Sequence, residues 1–307
     1  MEAQDIKFTQ ERIRELVKEK DAILLVHNYQ RPEIQDLADM TGDSLGLSIQ
    51  AGRTQAQVIV FCGVHFMAET ASIICPDKTV VLPRPDAGCP MADSITAESL
   101  RARKKELPGV PVVTYVNSTA EVKAESDICC TSANVVAVVK SLPAQRILMT
   151  PDRNLALYAQ RFVDKELILW EGCCNVHDRL TAEQVKKAKE KHPKAVVVAH
   201  PECRPEVLDL VDAIRSTSGM LTYCGQSPAE EFLLATENGL LHQLRKQNPR
   251  KKFYQVSRTM ICPNMKLTRL KDVLAAIENL APVVKVEEEV RIKALKAVNR
   301  MMAIPRD

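Results

Sequence analysis

The stretch Ala195–Gly219, AVVVAHPECRPEVLDLVDAIRSTSG, decides the fold. Its β-branched run Val196–Val198 reads as a strand, and the apolar residues after Pro205 return with a helical period. Between them His200-Pro201-Glu202 marks the carboxyl end of the strand, and Ser216-Thr217-Ser218 opens another helix. His200, Glu202 and Thr217 therefore gather where open α/β folds take their ligands, at a strand's carboxyl end and a helix start.

The same arrangement occurs twice upstream. Val26-His27-Asn28-Tyr29 leads, seventeen residues after His27, to Ser44, which the pattern makes the cap of an exposed helix N-terminus. Thr114-Tyr115-Val116-Asn117 leads to Ser132, seventeen residues after Tyr115, and seventeen also separate His200 from Thr217. The anchors His27, Tyr115 and His200 are 88 and 85 residues apart, which makes an internal triplication. Eighteen or nineteen residues before each anchor stands Thr9, Thr96 or Thr181, a hydroxyl suited to an N-cap with a Glu two positions on. After each anchor come strands around Val60, Leu148 and Leu233, then TVVLP, ELILW and KFYQV. Each repeat closes on a cysteine: Cys89, Cys174 and Cys262 lie 62, 59 and 62 residues after their anchors.

The expected architecture is α/β: three similar three-layer α/β/α units with short parallel sheets around a pseudo-threefold axis. The units run 1–90, 91–177 and 178–267. Residues 268–307, read as a helix, the short strand VVKV and a charged helix, pack back on the first unit and close it.

Composition narrows the function classes. The chain has 307 residues, 46% hydrophobic and 26% charged, with a net charge of +3, which is ordinary for an enzyme and too small to imply nucleic acid or a membrane surface. The amino-terminal stretch is polar, with no signal peptide, and no apolar run approaches the length of a membrane span, so the expected location is the cytoplasm. Ten cysteines in a reducing compartment read as thiols. Cys62, Cys75, Cys129, Cys203 and Cys224 sit in apolar segments and read as packing, as do Cys130 and Cys173. His65, His192 and His242 read as structural or surface residues, and His177, three after Cys174, as a donor to a metal group or substrate.

A threefold arrangement would bring equivalent loops together on its axis. Cys89, Cys174 and Cys262 then form one ring, Tyr29, Asn117 and Glu202 a second, His27, Tyr115 and His200 a third, and Ser44, Ser132 and Thr217 a fourth. Three thiolates can hold zinc with an open position or three corners of a 4Fe–4S cluster, and their wide spacing suits the larger group. An iron left open in such a cluster is a Lewis acid that can bind a hydroxyl or carboxylate and help it leave. The helix starts offer N–H groups and hydroxyls to phosphate or carboxylate oxygens, and the His, Tyr and Glu side chains offer proton donors and acceptors.

The motifs VHNYQRPEIQDLADMTGDSLGLS, CGVHFMAETA, GCPMADS, TYVNSTAEVKAESDICCTSAN, WEGCCNVH, HPECRPEVLDLVDAIRSTSGM and CPNMK, in this order, resemble the quinolinate synthase family over nearly the full chain. The resemblance implies three α/β domains about a pseudo-threefold axis. It implies condensation of iminoaspartate with dihydroxyacetone phosphate to quinolinate, phosphate and two waters, in NAD biosynthesis. It further implies one 4Fe–4S cluster on Cys89, Cys174 and Cys262 with one open iron, Cys173 being the extra cysteine. Site residues carried over are His27, Tyr29, Ser44, Tyr115, Asn117, Ser132, His177, His200, Glu202 and Thr217, with Tyr29, Tyr115, His200 and Glu202 in the proton transfers. The implied partners are small molecules, with an aspartate oxidase or dehydrogenase supplying iminoaspartate to a monomer or homodimer. A hydro-lyase of the aconitase type would use the same open iron without a phosphate acceptor. A non-catalytic iron–sulfur sensor would need a partner-binding or DNA-binding element, and neither charge nor pattern supplies one.

Overall fold

A computed structural model describes residues 3–306. The first unit runs α1 (Ala3–Glu19), β1 (Ala22–His27), α2 (Pro32–Gln35), β2 (Met40–Gly42), α3 (Ser44–Arg53), β3 (Val58–Cys62), α4 (His65–Ile74) and β4 (Thr79–Val81). The second, after a short 3-10 turn at Ala92–Ser94, runs α5 (Ala97–Glu106), β5 (Val112–Tyr115), α6 (Ala120–Ala124), β6 (Ile128–Cys130), α7 (Val135–Ser141), β7 (Arg146–Thr150), α8 (Arg153–Gln160) and β8 (Glu166–Leu169). The third repeats the order as α9 (Ala182–Lys191), β9 (Val196–Ala199), α10 (Pro205–Leu208), β10 (Ala213–Ile214), α11 (Thr217–Gln226), β11 (Glu231–Ala235), α12 (Leu240–Gln247) and β12 (Lys252–Gln255). Two further helices follow, α13 (Leu270–Asn279) and α14 (Glu288–Met302).

Each unit holds one parallel four-stranded sheet, in the orders β2-β1-β3-β4, β6-β5-β7-β8 and β10-β9-β11-β12. The order reverses between the first and third strands in sequence, which makes the crevice beyond β1/β3, β5/β7 and β9/β11 the ligand position in each unit. His27, Tyr115 and His200 stand at or just past the ends of β1, β5 and β9, at those three crevices.

The first strands are largely apolar because both faces are covered, Thr114 and the terminal His27 and Tyr115 being the polar members. On one face of the first sheet Leu24, Val26, Val58 and Val60 pack with α1 and α13. On the other, Leu25, Ile59 and Phe61 belong to a core that continues through Val113, Ile147, Val198 and Phe232 of the other two units. One apolar core therefore joins all three sheets. A polar device is repeated with them: Asp39, Asp127 and Asp212 each accept a strand N–H, from Leu24, Val112 and Val197, at 2.8, 2.7 and 2.8 Å. Each of these bonds ties a first strand to the turn before its edge strand.

Several local expectations are corrected. The edge strands β2, β6 and β10 make each sheet four-stranded where the sequence pattern suggested three. Thr96 and Thr181 do open helices with capping boxes, but Thr9 lies inside α1, where its hydroxyl donates to the Asp5 carbonyl at 2.7 Å. VVKV forms no strand, only a single antiparallel bridge between Val283 and Val81. The carboxy-terminal segment does not cover the first unit alone. Whereas α13 lies on α1, α14 packs against α6 and β6 of the second unit as well as α4 of the first.

Candidate active site

The three strand ends, the three cysteine loops and the first turns of α3 and α11 surround one cavity. All thirteen residues singled out in the sequence line it: Cys89, Cys174, Cys262, His27, Tyr29, Ser44, Tyr115, Asn117, Ser132, His177, His200, Glu202 and Thr217. Val64, Phe66, Met67, Met91 and Met265 supply its apolar wall.

The helix starts are shifted by one position or more from the expected caps. Asp43 caps α3 by accepting the Gly46 N–H, and Ser216 caps α11 by accepting that of Gly219, at 2.8 and 3.2 Å. Ser44 and Thr217 are thus the first helical residues, and their hydroxyls are free of capping and face the cavity. In the second unit Asn134 stands at the N-cap of α7, and Ser132 lies in the turn before it. Asn134 Oδ1 accepts the Thr131 N–H at 2.8 Å, while its amide donates to the Met301 and Ile304 carbonyls and anchors the end of α14.

Hydrogen bonding sets the protonation of the histidines. The Tyr29 N–H donates to His27 Nδ1 at 3.1 Å, and the Glu202 N–H donates to His200 Nδ1 at 3.3 Å. A ring nitrogen that accepts is unprotonated, so both imidazoles carry their proton on Nε2. Burial agrees with this, lowering His27 to about 4 and His200 to about 3. Two neutral N–H donors result, from equivalent positions of the first and third units.

Glu202 is 4% exposed and centres a network that crosses all three units. Burial opposes its ionisation, yet His200, His177 and Tyr115 around it hold its carboxyl down to about 2. His177 Nδ1 lies 2.7 Å from Glu202 Oε2 and 3.2 Å from Cys174 Sγ. With Glu202 ionised, Nδ1 carries a proton toward it, and Nε2 lies 3.0 Å from the Thr236 hydroxyl. The Thr236 hydroxyl lies 2.7 Å from that of Tyr29, which lies 3.0 Å from that of Thr217. One hydrogen-bonded chain therefore runs from Thr217 to Glu202. Burial raises the phenols of Tyr29 and Tyr115 well above the usual range, so both remain donors; Tyr115 faces Glu202 and Ser132.

The cysteines suit a metal group. Burial pushes the Cys89 thiol up to about 12 and raises those of Cys174 and Cys262, so loading a metal must displace their protons. Cys174, His177 and Glu202 offer ligand atoms within 4.8 Å of one another. The His177 atom in that trio is the protonated Nδ1, which makes His177 a hydrogen-bond donor to the other two rather than a third ligand. The three cysteine sulfurs do not form such a tight trio among the described residues. Tetrahedral Zn–S bonds would draw thiolates to about 3.8 Å from one another. The wider triangle fits a group larger than a single ion.

Sequence reasoning missed Asp152, Thr236, Glu237 and Lys266. Thr236 is the bridge just described, Glu237 lines the cavity with Lys266 3.1 Å from its Oε1, and Asp152 accepts the Cys174 N–H. The signal was available: Thr150-Pro151-Asp152 and Thr236-Glu237 end the second long strands of their units, in the register that aligned the anchors. One glycine is required by packing here. A Cβ on Gly239 would stand 2.7 Å from the Tyr29 backbone, and Gln35 Nε2 bridges the Gly239 and Asn28 carbonyls at 3.0 Å each.

Comparison with known proteins agrees with the site. The profile of the quinolinate synthetase A protein family matches residues 11–303. A quinolinate synthase of Geobacter sp. (strain M21) is 58% identical over 295 residues, 96% of this chain and 97% of that protein. That of Geobacter metallireducens is 55% identical over 307 residues, the full length of both, and that of the archaeon Methanosarcina barkeri is 55% identical over 96% of this chain. With the match running the length of the chain and the cavity at its three strand ends, the chain belongs to the quinolinate synthase family, enzymes of NAD biosynthesis.

Proposed function

We propose that this enzyme condenses iminoaspartate with dihydroxyacetone phosphate to quinolinate, releasing phosphate and two waters, with a 4Fe–4S cluster held by Cys89, Cys174 and Cys262. The observation that carries the reading is one cavity lined by three cysteines from equivalent loops, two neutral histidines and Glu202, held ionised with no Lys or Arg partner. When bound, the cluster supplies a Lewis acid for loss of a hydroxyl. The chain's own residues account for the remaining work. Ser44 and Thr217, with the amides of the first turns of α3 and α11, take phosphate or carboxylate oxygens. His27 and His200 donate from Nε2 to carbonyl or carboxylate oxygens without bringing a charge into the cavity. Glu202 receives protons from carbon or nitrogen during isomerisation and condensation, and His177 and Tyr115 hold it ionised between steps. Tyr29 and Tyr115 donate to oxygens that gain negative charge, and the apolar wall of Phe66 and the methionines excludes bulk water.

Quinolinate formation by protein purified and loaded without oxygen tests this. Product that requires both substrates and disappears when iron is omitted is the expected result. Protein with full iron and sulfide that yields none refutes the reading. Glu202→Gln should retain iron and lose turnover, and a variant turning over normally removes Glu202 from the chemistry.

A further inference from the structure

Two buried acids make no hydrogen bond to Glu202, although burial and its nearby charge raise the Asp152 carboxyl, and both touch metal-ligand loops. Asp152 is 2% exposed and lies on the turn after β7; Glu237 is 1% exposed and lies on the turn after β11. Asp152 Oδ2 accepts the Cys174 N–H at 3.2 Å, and its Oδ1 accepts the Leu155 N–H at 2.9 Å as the cap of α8. Glu237 Oε1 accepts the Cys262 N–H at 3.1 Å, and its Oε2 accepts the Gly239 N–H at 2.7 Å. The pattern is the same in both units: one oxygen holds the cysteine amide, the other holds the turn or helix at the end of the sheet. Glu237 follows its strand-end threonine by one residue and Asp152 by two, and the longer side chain makes up the difference.

Why the residue must be a carboxylate follows from the donors. Both oxygens accept an N–H, so an amide would turn its NH2 group against one of them. A helix cap alone would not need the second oxygen, since Ser caps about as well as Asp. The Cys174 loop is also seated tightly on its clamp: a Cβ on Gly172 would lie 2.5 Å from the Pro151 carbonyl oxygen, and the Arg153 N–H donates to the Gly172 carbonyl at 2.9 Å. The first unit has no such acid, since β3 ends in Cys62-Gly63-Val64. Its cysteine loop is tied to the turn after β3 by a backbone bond instead, the His65 N–H donating to the Ala87 carbonyl at 2.8 Å, and to the third unit by Asn264 Nδ2, which donates to the Gly88 carbonyl at 2.8 Å.

We infer that Asp152 and Glu237 are positioning residues for the metal centre, each clamping the backbone amide of one ligand cysteine, Cys174 or Cys262, to the end of its own sheet. This rests on the three cysteines being the ligands. Two corners of the site are then preset by an acid of their own unit, and the Cys89 corner by a backbone bond within its unit and a contact from the third.

The test is iron loss to a chelator from the full-length protein loaded without oxygen, followed by its visible absorption. Partners that orient metal ligands are typically worth about 10–100-fold in metal affinity, and iron loss from D152N, E237Q and E237A should accelerate on that scale. Asp152→Ser keeps a hydroxyl to cap α8 and gives up only the Cys174 bond, so it should fold as the parent does and still lose iron faster. Asp212→Asn is the control for stability alone, because Asp212 accepts a strand N–H from Val197 and lies outside the cavity lining. It should lower the melting point and leave iron loss unchanged. Asp152→Ser and Glu237→Gln that melt like the parent and release iron at the parent's rate overturn the clamp alone. A parent protein that holds no iron overturns the ligand reading, and the clamp with it.

Discussion

Thr236→Val is the sharpest probe of the network, because it removes one hydroxyl and keeps nearly the same volume. Thr236 is 1% exposed and bridges His177 Nε2, 3.0 Å away, and the Tyr29 hydroxyl, 2.7 Å away. Valine leaves the Tyr29 hydroxyl with Thr217, 3.0 Å away, so that group keeps a partner. His177 Nε2 keeps none among the contacts described, and an orphaned buried polar group costs about 1–3 kcal/mol. The metal-free variant should lose that much in urea unfolding. The same bond holds the His177 ring with its Nδ1 2.7 Å from Glu202. If the loss falls wholly on the transition state, turnover drops about 5- to 150-fold at matched iron content, with KM little changed. Thr236→Ser restores the hydroxyl at the cost of one methyl, about 0.8 kcal/mol, and should recover most of the rate. A valine variant that unfolds within about 0.3 kcal/mol of the parent and turns over within about twofold of it would show that the hydroxyl bridges nothing of consequence.

Other consequences can be checked independently. Cys89→Ala, Cys174→Ala and Cys262→Ala should each abolish iron retention while far-ultraviolet circular dichroism is unchanged; full iron in any one of them removes that cysteine from the ligand set. The buried histidines make stability depend on pH. His27 and His200 sit at about 4 and about 3 when folded against 6.5 when free, so between those values the unfolded chain binds more protons. Their contribution is complete above about pH 6.5 and is lost as pH falls, on the order of 3 kcal/mol for His27 alone. Glu202, lowered from 4.5 to about 2, acts with the same sign below 4.5. Unfolding midpoints of the metal-free protein should therefore fall between about pH 7 and pH 5, and a flat profile there contradicts the burial of neutral imidazoles. Gly239→Ala places a Cβ 2.7 Å from the Tyr29 backbone and should cost about 1–3 kcal/mol while moving His27 and Tyr29. Its signature is a fall in turnover, and an alanine variant with normal stability and rate would show that the β1 end yields freely.

The sequence carried the architecture because the long strands are β-branched and their polar ends recur at constant spacing. It did not carry β2, β6 and β10, which are two or three residues long and too short for any period. Those strands are defined by pairing, Leu25 with Met40 and Val113 with Ile128, and by Asp39, Asp127 and Asp212 just before or at the turn into them. The caps at Asp43 and Ser216 were missed by one residue because Asp, Ser and Thr all cap well, and only the backbone decides which does. That single step matters to the chemistry. A capping hydroxyl spends its lone pairs on its own helix, whereas one residue in, the Ser44 hydroxyl stays available to the cavity and that of Thr217 joins Tyr29 in its wall. Thr236, Glu237 and Asp152 escaped because the anchor register was followed along the first strand of each unit and not along the second.

The walls of the cavity are threefold, but its charge is not. Among the described residues, its lining includes Asp43, Glu202 and Glu237 and no Lys or Arg. Asp43 is paired with Arg306 at 3.2 Å and Glu237 with Lys266 at 3.1 Å. Glu202 alone keeps its charge among neutral donors. A lysine in the cavity would form an ion pair with it and hold the proton acceptor idle, whereas neutral imidazole, phenol and hydroxyl donors stabilise the carboxylate without occupying it permanently. The same donors suit anionic substrates, because helix amides and hydroxyls bind oxyanions without the desolvation cost of a buried cation. The difference between the units lies two residues past each anchor, at Tyr29, Asn117 and Glu202. Two units present a donor or an amide there, and only the third presents a base. Repetition thus builds an enclosure, and one substitution within the repeat sets a carboxylate on the wall that the third unit supplies, where the proposed chemistry needs its base.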